Sequence, residues 1–237
     1  MLSHIPGLFI TGTDTGVGKT YVAALIARTL AAAGHRVGVY KPAASGCRRR
    51  DGQLLSDDAL ALWNAAGQPG ELERVCPQCF EAPLAPHLAA RREGKRLDPA
   101  LLRSGIEYWR ARAEIIVVEG AGGLMSPLGE TEYVGDLADQ LGFPLLIVAR
   151  NTLGTINATL QTLIAATTFG QGLLVAGIVL NHAAPPAADD ISLASNGPEL
   201  AARCVPPLLA EVAWGAQCLE GSTDWFGLAQ ARSSVAP

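Results

Sequence analysis

The run Gly12-Thr13-Asp14-Thr15-Gly16-Val17-Gly18-Lys19-Thr20 leaves few folds open. It follows the apolar Leu8-Phe9-Ile10 and precedes a helical pattern that begins at Tyr21. Strand, glycine-rich turn and helix start, in that order, aim backbone N–H groups and a helix dipole at one point, where a polyphosphate is held. In this reading Lys19 reaches the β- and γ-phosphates and the Thr20 hydroxyl ligates Mg²⁺. Gly12 stands one residue further from Lys19 than the usual G-x-x-x-x-G-K-[ST] spacing, with Thr13 at the first-glycine position. A plain strand-to-helix connection is the competing reading, and it leaves Gly-Lys-Thr at a helix start unexplained.

Elsewhere apolar runs alternate with helical patterns. Strands are expected at residues 8–11, 36–41, 114–119, 145–149, 173–180 and briefly 208–209. Helices are expected at 17–33, from Asp57, at 87–91, 98–112, 155–169, 189–203 and from about 222, with Asp98 capping and Pro99 opening the fourth. The Pro-rich residues 69–86 and the Ala/Pro stretch 183–188 read as irregular. This alternation predicts one α/β domain over residues 1–237, a doubly wound, mostly parallel sheet of the P-loop NTPase type. Ligands of such a sheet lie beyond the carboxyl ends of its strands. Residues 11–20, 41–45, 119–123, 149–157 and Asn181 should therefore face one edge.

Composition narrows the function. Apolar residues make up 49% of 237, ample for a core, and the formal charge of −4 gives no footing for nucleic acid. Arg48-Arg49-Arg50 is the dense basic run, and its Gly-, Ser- and Asp-containing surroundings predict a solvated loop. No apolar run approaches the roughly 18 residues of a membrane span, and the N-terminus lacks a basic leader, so a cytoplasmic address is expected. Five cysteines would stay reduced there. Cys76-Pro77-Gln78-Cys79 has the spacing of redox and zinc sites, but no second pair completes a tetrahedral set, so no metal or redox role is expected of it.

Glu119 closes the β-branched run Ile115-Ile116-Val117-Val118 as a Walker-B acid does, ahead of Gly120-Ala121-Gly122-Gly123. An ordinary strand-end acid is the alternative. Asp57 and Asp58 offer another carboxylate, with helix capping as the competing role. Thr20, an acid of this pair and Glu119 would bring Mg²⁺ ligands from three segments. Lys41, before Pro42 at a strand end, is a second cation for the crevice, unless it merely snorkels. Two lysines at one γ-phosphate suit an acceptor that is itself an anion. Gly122 and Gly123 would let a substrate approach the backbone.

With Tyr40-Lys41-Pro42-Ala43-Ala44-Ser45-Gly46, Ser56-Asp57-Asp58-Ala59-Leu60, Val118-Glu119-Gly120-Ala121-Gly122-Gly123 and Leu153-Gly154-Thr155-Ile156-Asn157, the loop resembles the dethiobiotin synthetases, in order from Gly7 to about Trp214. The long loop spacing is itself a mark of that family. The resemblance implies that 7,8-diaminononanoate and CO₂ or bicarbonate form a carbamate, that ATP phosphorylates it, and that the second amine closes a ureido ring. It implies that Lys19 and Lys41 stabilise the carbamate and the moving phosphoryl group, with Thr15 and Ser45 beside them. Thr20, Asp58 and Glu119 would hold Mg²⁺. ATP would contact Thr13, Asp14, Thr15, Gly16, Val17, Gly18, Lys19, Thr20, Tyr21, Glu119, Gly120, Ala121 and Gly122, with Asn181 reading adenine. Substrate would meet Thr15, Lys41, Ser45, Gly122, Leu153, Gly154 and Asn157, the last three at a helix start that receives its carboxylate across a homodimer interface.

The sequence departs from the family pattern at Leu84 and Ala85, where hydroxyl residues are common, and at Ala213, where a proline usually precedes the tryptophan. Asp14 stands where partition-type ATPases carry a signature lysine. Three functions are weighed: this cyclo-ligase, a corrinoid amide ligase, which would add a glutaminase domain, and a partition-type nucleotide switch, which would want that lysine and a DNA-binding surface.

Overall fold

Runs of branched apolar residues, buried on both faces, form a sheet in which every pairing is parallel. The computed structural model describes residues 5–50, 52–186 and 189–231. The chain runs β1 (Gly7–Gly12), α1 (Lys19–Ala32), β2 (Val37–Tyr40), a hairpin of β3 (Arg48–Arg50) and β4 (Gln53–Leu55), α2 (Asp57–Ala65), α3 (Leu72–Val75), α4 (Pro86–Arg92), α5 (Pro99–Ser104) and α6 (Glu107–Arg110). It continues through β5 (Ile115–Gly123), α7 (Val134–Leu141), β6 (Leu145–Arg150), α8 (Thr155–Thr168), β7 (Val175–Asn181), α9 (Ser192–Arg203), β8 (Leu208–Val212) and α10 (Trp225–Ala229). Six strands lie in the order β2-β5-β1-β6-β7-β8, so the winding reverses at β1 and opens a crevice there.

Alternation along a strand sends neighbours to opposite faces. On β6, Leu146 and Val148 join the larger core around β1, α1 and α7, whereas Ile147 and Ala149 join a second core with Leu163 of α8 and Leu200 of α9. One strand thus feeds both layers, as the doubly wound reading requires. Register then sets the site: Tyr40 pairs with Val118 and Ile10 with Glu119, which brings Lys41, Glu119 and the loop after β1 to one edge.

Several elements differ from the sequence reading. The helix expected over residues 98–112 is two: the Leu101 carbonyl keeps its helical bond from the Gly105 N–H at 3.0 Å, but the Tyr40 hydroxyl, 3.0 Å from the carbonyls of Leu101 and Leu102, takes the place of the next helical donor at Leu102, and Gly105 packs against that hydroxyl. Arg48-Arg49-Arg50 is solvated as expected but forms a strand, its side chains ion-paired with Asp57 and Glu81. Residues 69–86 contain α3, and β8 extends to Val212. Within the Ala/Pro stretch, residues 183–186 carry no helix or strand, while 187 and 188 lie outside the described residues. Helix α7, which the reading missed, has Val134, Leu137, Ala138 and Leu141 on one buried face and Gly142 as a left-handed stop.

Candidate active site

Helix α1 starts with no side-chain cap, and its N-cap Gly18 sits at φ 91, so the end of the helix is open to an anion. A β-carbon at Gly18 would collide with the Asn181 amide, which explains glycine there twice over. Around this loop lies a cavity of about 570 Å³. Thr15, Gly16, Gly18, Lys19, Thr20, Tyr21, Lys41, Ser45, Asp58, Glu119, Ala121, Gly122 and Asn181, all site candidates, line it.

The other candidates do not. Thr13, Asp14, Val17 and Gly120 belong to the same segments, with Val17 buried beneath the loop and the Asp14 carbonyl accepting from Lys19 Nζ at 3.1 Å. Leu153, Gly154 and Asn157 stand at the separate start of α8, where Leu153 is 83% exposed and no side chain caps the helix.

At the floor of the cavity Lys41 is almost wholly buried. Its Nζ lies 2.6 Å from Glu119 Oε1, 3.0 Å from Asp58 Oδ2 and 3.4 Å from the Gly120 carbonyl. Burial alone would lower its pKa, but Glu119 and Asp58 outweigh it and hold the ammonium above the ordinary lysine range. Burial would likewise raise Asp58, yet Lys41 holds that carboxyl below its usual value. Glu119 is pushed up by burial against the pull of Lys41. Lys19 is pushed down, first by burial and then by Lys41, which makes it the more easily neutralised of the two lysines.

Thr20 Oγ1 donates to Glu119 Oε1 at 2.9 Å, and the other oxygen of Glu119 is buried with no partner. A hydroxyl and two carboxylates, one with an uncommitted buried oxygen, fit a hard divalent cation such as Mg²⁺. Asp58, left open against Asp57 by the sequence, is the one that faces the cavity; Asp57 pairs with Arg48 and Arg50.

On the far side, Asn181 Nδ2 donates to the Val17 carbonyl at 2.9 Å while its Oδ1 is buried and unpartnered. His182, Ala183, Trp214, Gly215 and Gln217 complete that wall. Trp214 stands there without the preceding proline. His182, Ala183, Gly215 and Gln217 were not candidates; their signal is position alone, directly after β7 and β8. The wall is tied to α1 by hydrogen bonds from the Tyr21 hydroxyl to the Ala216 carbonyl and from Arg28 to the Gln217 carbonyl. The departed residue Leu84 is 41% exposed beside a different cleft, and nearby the Gly46 N–H of the Ser45 loop donates to the Ala82 carbonyl at 3.3 Å.

Comparison with known proteins bears on the family and the fold. A family model described as an AAA domain matches residues 6–218. The ATP-dependent dethiobiotin synthetase BioD of Rhodopirellula baltica is 43% identical over 215 residues, covering 86% of this chain and 82% of that protein. Its counterpart in Anaeromyxobacter dehalogenans strain 2CP-C is 45% identical over 208 residues, covering 88% and 90%. Among solved structures, the septum site-determining protein MinD of Pyrococcus horikoshii, complexed with Mg-ADP, superposes with a TM-score of 0.53 at 16% identity over 88% of this chain and 81% of that one. The signal recognition particle receptor FtsY of Elizabethkingia anophelis gives 0.50 at 14% identity, over 88% of this chain but only 60% of its own length. At such identities these two likenesses speak for the P-loop fold alone.

Proposed function

The chain belongs to the ATP-dependent dethiobiotin synthetases, ligases of biotin biosynthesis built on a P-loop fold, and we propose that it converts 7,8-diaminononanoate, CO₂ and ATP to dethiobiotin, ADP and phosphate. The observation that carries the reading is the convergence of two lysines, Lys19 and Lys41, on the cavity at the helix start, one of them locked between two carboxylates. A partition-type nucleotide switch would carry its second lysine in the loop, at the position that Asp14 occupies, whereas here the second cation comes from Lys41 after β2. Transfer to an anionic acceptor profits from a second, because a carbamate and a γ-phosphate repel each other.

One amine of the diamine takes up CO₂ as a carbamate, whose oxygen attacks the γ-phosphoryl group and expels ADP. The other amine then attacks the carbonyl carbon of the carbamic–phosphoric anhydride, phosphate leaves, and the ureido ring closes. Lys19 and the open N-terminus of α1 hold the phosphates in line. Lys41 neutralises charge at the acceptor and on the transferring group, with Thr15 and Ser45 orienting the carbamate. Mg²⁺, held by Thr20, Asp58 and Glu119, would supply charge neutralisation at the β- and γ-phosphates. Asn181 presents a buried acceptor oxygen that suits an exocyclic amino group such as that of adenine.

The substrate carboxylate is assigned to the uncapped start of α8 around Leu153, Gly154 and Asn157. Since these residues do not line the cavity, the assignment requires a second copy of the chain, hence a homodimer with shared sites. In this reading the chain is one domain working in the cytoplasm; among the described residues no helix is long and apolar enough to cross a membrane. The deciding experiment supplies purified protein with Mg-ATP, bicarbonate and 7,8-diaminononanoate. ADP release should depend on the diamine, and release that is no faster with it than without it refutes the ligase reading.

A further inference from the structure

Three thiols gather behind the loop that carries Lys41 and Ser45, outside the cavity described above. Cys76 and Cys79 approach to 3.6 Å between sulfurs, and Cys47 lies alongside, its thiol donating to the Ala44 carbonyl at 3.6 Å and its N–H to the carbonyl of Phe80, the residue after Cys79. The two segments that bring them are laced together by backbone hydrogen bonds. Lys41 N–H donates to the Val75 carbonyl at 2.7 Å, and the N–H groups of Ala44, Phe80 and Cys47 donate to the carbonyls of Gln78, Ala44 and Phe80, each at 2.9 Å. Cys76 and Cys79 also open onto a second cleft of about 350 Å³, shared with Ser56 and Ala59 on either side of Asp58. Among the described residues no three His, Cys, Asp or Glu side chains are arranged to hold a metal ion.

We propose that Cys76 and Cys79 form an oxidisable dithiol whose substrate is a low-molecular-weight disulfide, and that closing their bond displaces the loop presenting Lys41 and Ser45. The half-buried Cys79 is the sulfur open to first attack, as Cys76 is buried. The Cys79 thiolate attacks the external disulfide, forming a mixed disulfide and expelling one thiolate. The Cys76 thiolate then attacks Cys79 Sγ, forming the protein disulfide and expelling the second. Two protein thiols thus lose two electrons and two protons, and the external disulfide becomes two thiols. Bonding the sulfurs contracts the turn at residues 76–79, and the backbone partners of residues 41–47 lie within it, at Gln78, and at its two ends, Val75 and Phe80. Cys47 lowers the Cys79 pKa, but the hydrogen bond with Cys76 and burial outweigh it and push the thiol up to about 12. Exchange is therefore slow near neutrality and quickens as pH rises.

The test uses full-length protein carrying Cys204→Ser and Cys218→Ser, treated with oxidised glutathione at several pH values. Peptide mapping should find the segment between Arg74 and Arg91 lighter by two hydrogens, faster at higher pH, and Cys79→Ser should abolish the change. In the oxidised protein the amides of residues 41–47 should exchange hydrogen faster, a readout that stands whether or not the ligase reading holds. Diamine-dependent ADP release should fall about tenfold or more, since an ångström of misplacement at a positioned group costs up to two orders of magnitude. A dithiol reductant should reverse every effect, and Cys47→Ser should leave the link intact. No link in that segment at any pH, a link to Cys47 instead, or a link with unchanged exchange at residues 41–47 overturns the proposal.

Discussion

Lys41 Nζ stands 2.6 Å from Glu119 Oε1, inside a carboxylate whose other oxygen has no partner. In the proposed reaction the lysine has two duties, charge at the acceptor and compensation of a buried anion, and a substitution should separate them. Lys41→Gln is expected to lose at least about tenfold in turnover with little change in nucleotide affinity, since its charge acts mainly in the transition state. It should also lose about 3 kcal/mol of stability, because Glu119 is left buried and uncompensated. The double variant Lys41→Gln/Glu119→Gln should regain most of the stability and none of the turnover. ADP-release kinetics and denaturant unfolding read the two effects; unchanged turnover would remove Lys41 from the site.

Gly18 and Gly16 form a matched pair for the loop. Both have positive φ, 91 and 75, but a β-carbon at Gly18 meets the Asn181 amide whereas one at Gly16 meets nothing within 4 Å. Gly16→Ala should lose only the left-handed backbone term, about 1–2 kcal/mol. Gly18→Ala should lose more, and should also weaken nucleotide binding by displacing the Asn181 amide from the Val17 carbonyl. Thermal unfolding and calorimetric titration with ADP check this. Equal effects at the two positions would mean that Asn181 is not part of the nucleotide site.

What the sequence made legible follows from how local each signal is. The loop, the six strands of the parallel sheet and Glu119 each carry their information within ten residues, and all fall where the patterns put them to within a few residues, whereas β3 and β4 stand where a loop was expected. Asp58 could be chosen over Asp57 only by resemblance, because both begin the same helix; the choice is made in space, by Lys41 on one side and the arginine hairpin on the other. The break between α5 and α6 depends on a tyrosine some 60 residues earlier, Tyr40, which no periodicity could reveal. Cys47 likewise gives no sign that its N–H will bond the carbonyl of Phe80, beside Cys79. Helix α7 is a different case: its apolar spacing at Val134, Leu137, Ala138 and Leu141 and its terminal Gly142 are local signals, carried by a run of only eight residues.

Lys19 gives the pH dependence. Burial first, and then Lys41, lower its pKa from the usual lysine value, so it surrenders its proton earlier on the alkaline side than a solvated lysine does. Polyphosphate prefers the charged form. Nucleotide affinity should therefore fall as pH rises, beginning at a lower pH than an ordinary lysine would give, and binding there should take up protons. Titrations with ADP from about pH 7 to about pH 10, in two buffers of different ionisation enthalpy, measure both quantities. Lys19→Arg, whose charge persists across that range, should flatten the fall; a slope unaltered by the substitution would place the titrating group elsewhere.

Leu153 decides the assembly. It is 83% exposed at the start of α8, and Ile164, 63% exposed, adds a second large apolar side chain on the same helix. In a monomer such a surface leucine contributes almost nothing, and Leu153→Asp should change unfolding stability by no more than about 0.5 kcal/mol. In the proposed homodimer it is buried once from each copy, and burying a leucine is worth about 1.5–3 kcal/mol, so the dimer dissociation constant should rise at least about tenfold. Sedimentation velocity at micromolar concentration, on both proteins, separates these cases. A wild-type chain that sediments as a monomer contradicts the shared site, and a Leu153→Asp protein that dimerises as tightly as wild type moves the interface away from α8. If the variant is monomeric, it should still bind nucleotide, because that cavity is built from one chain, while its Michaelis constant for the diamine should rise as the carboxylate loses its helix start.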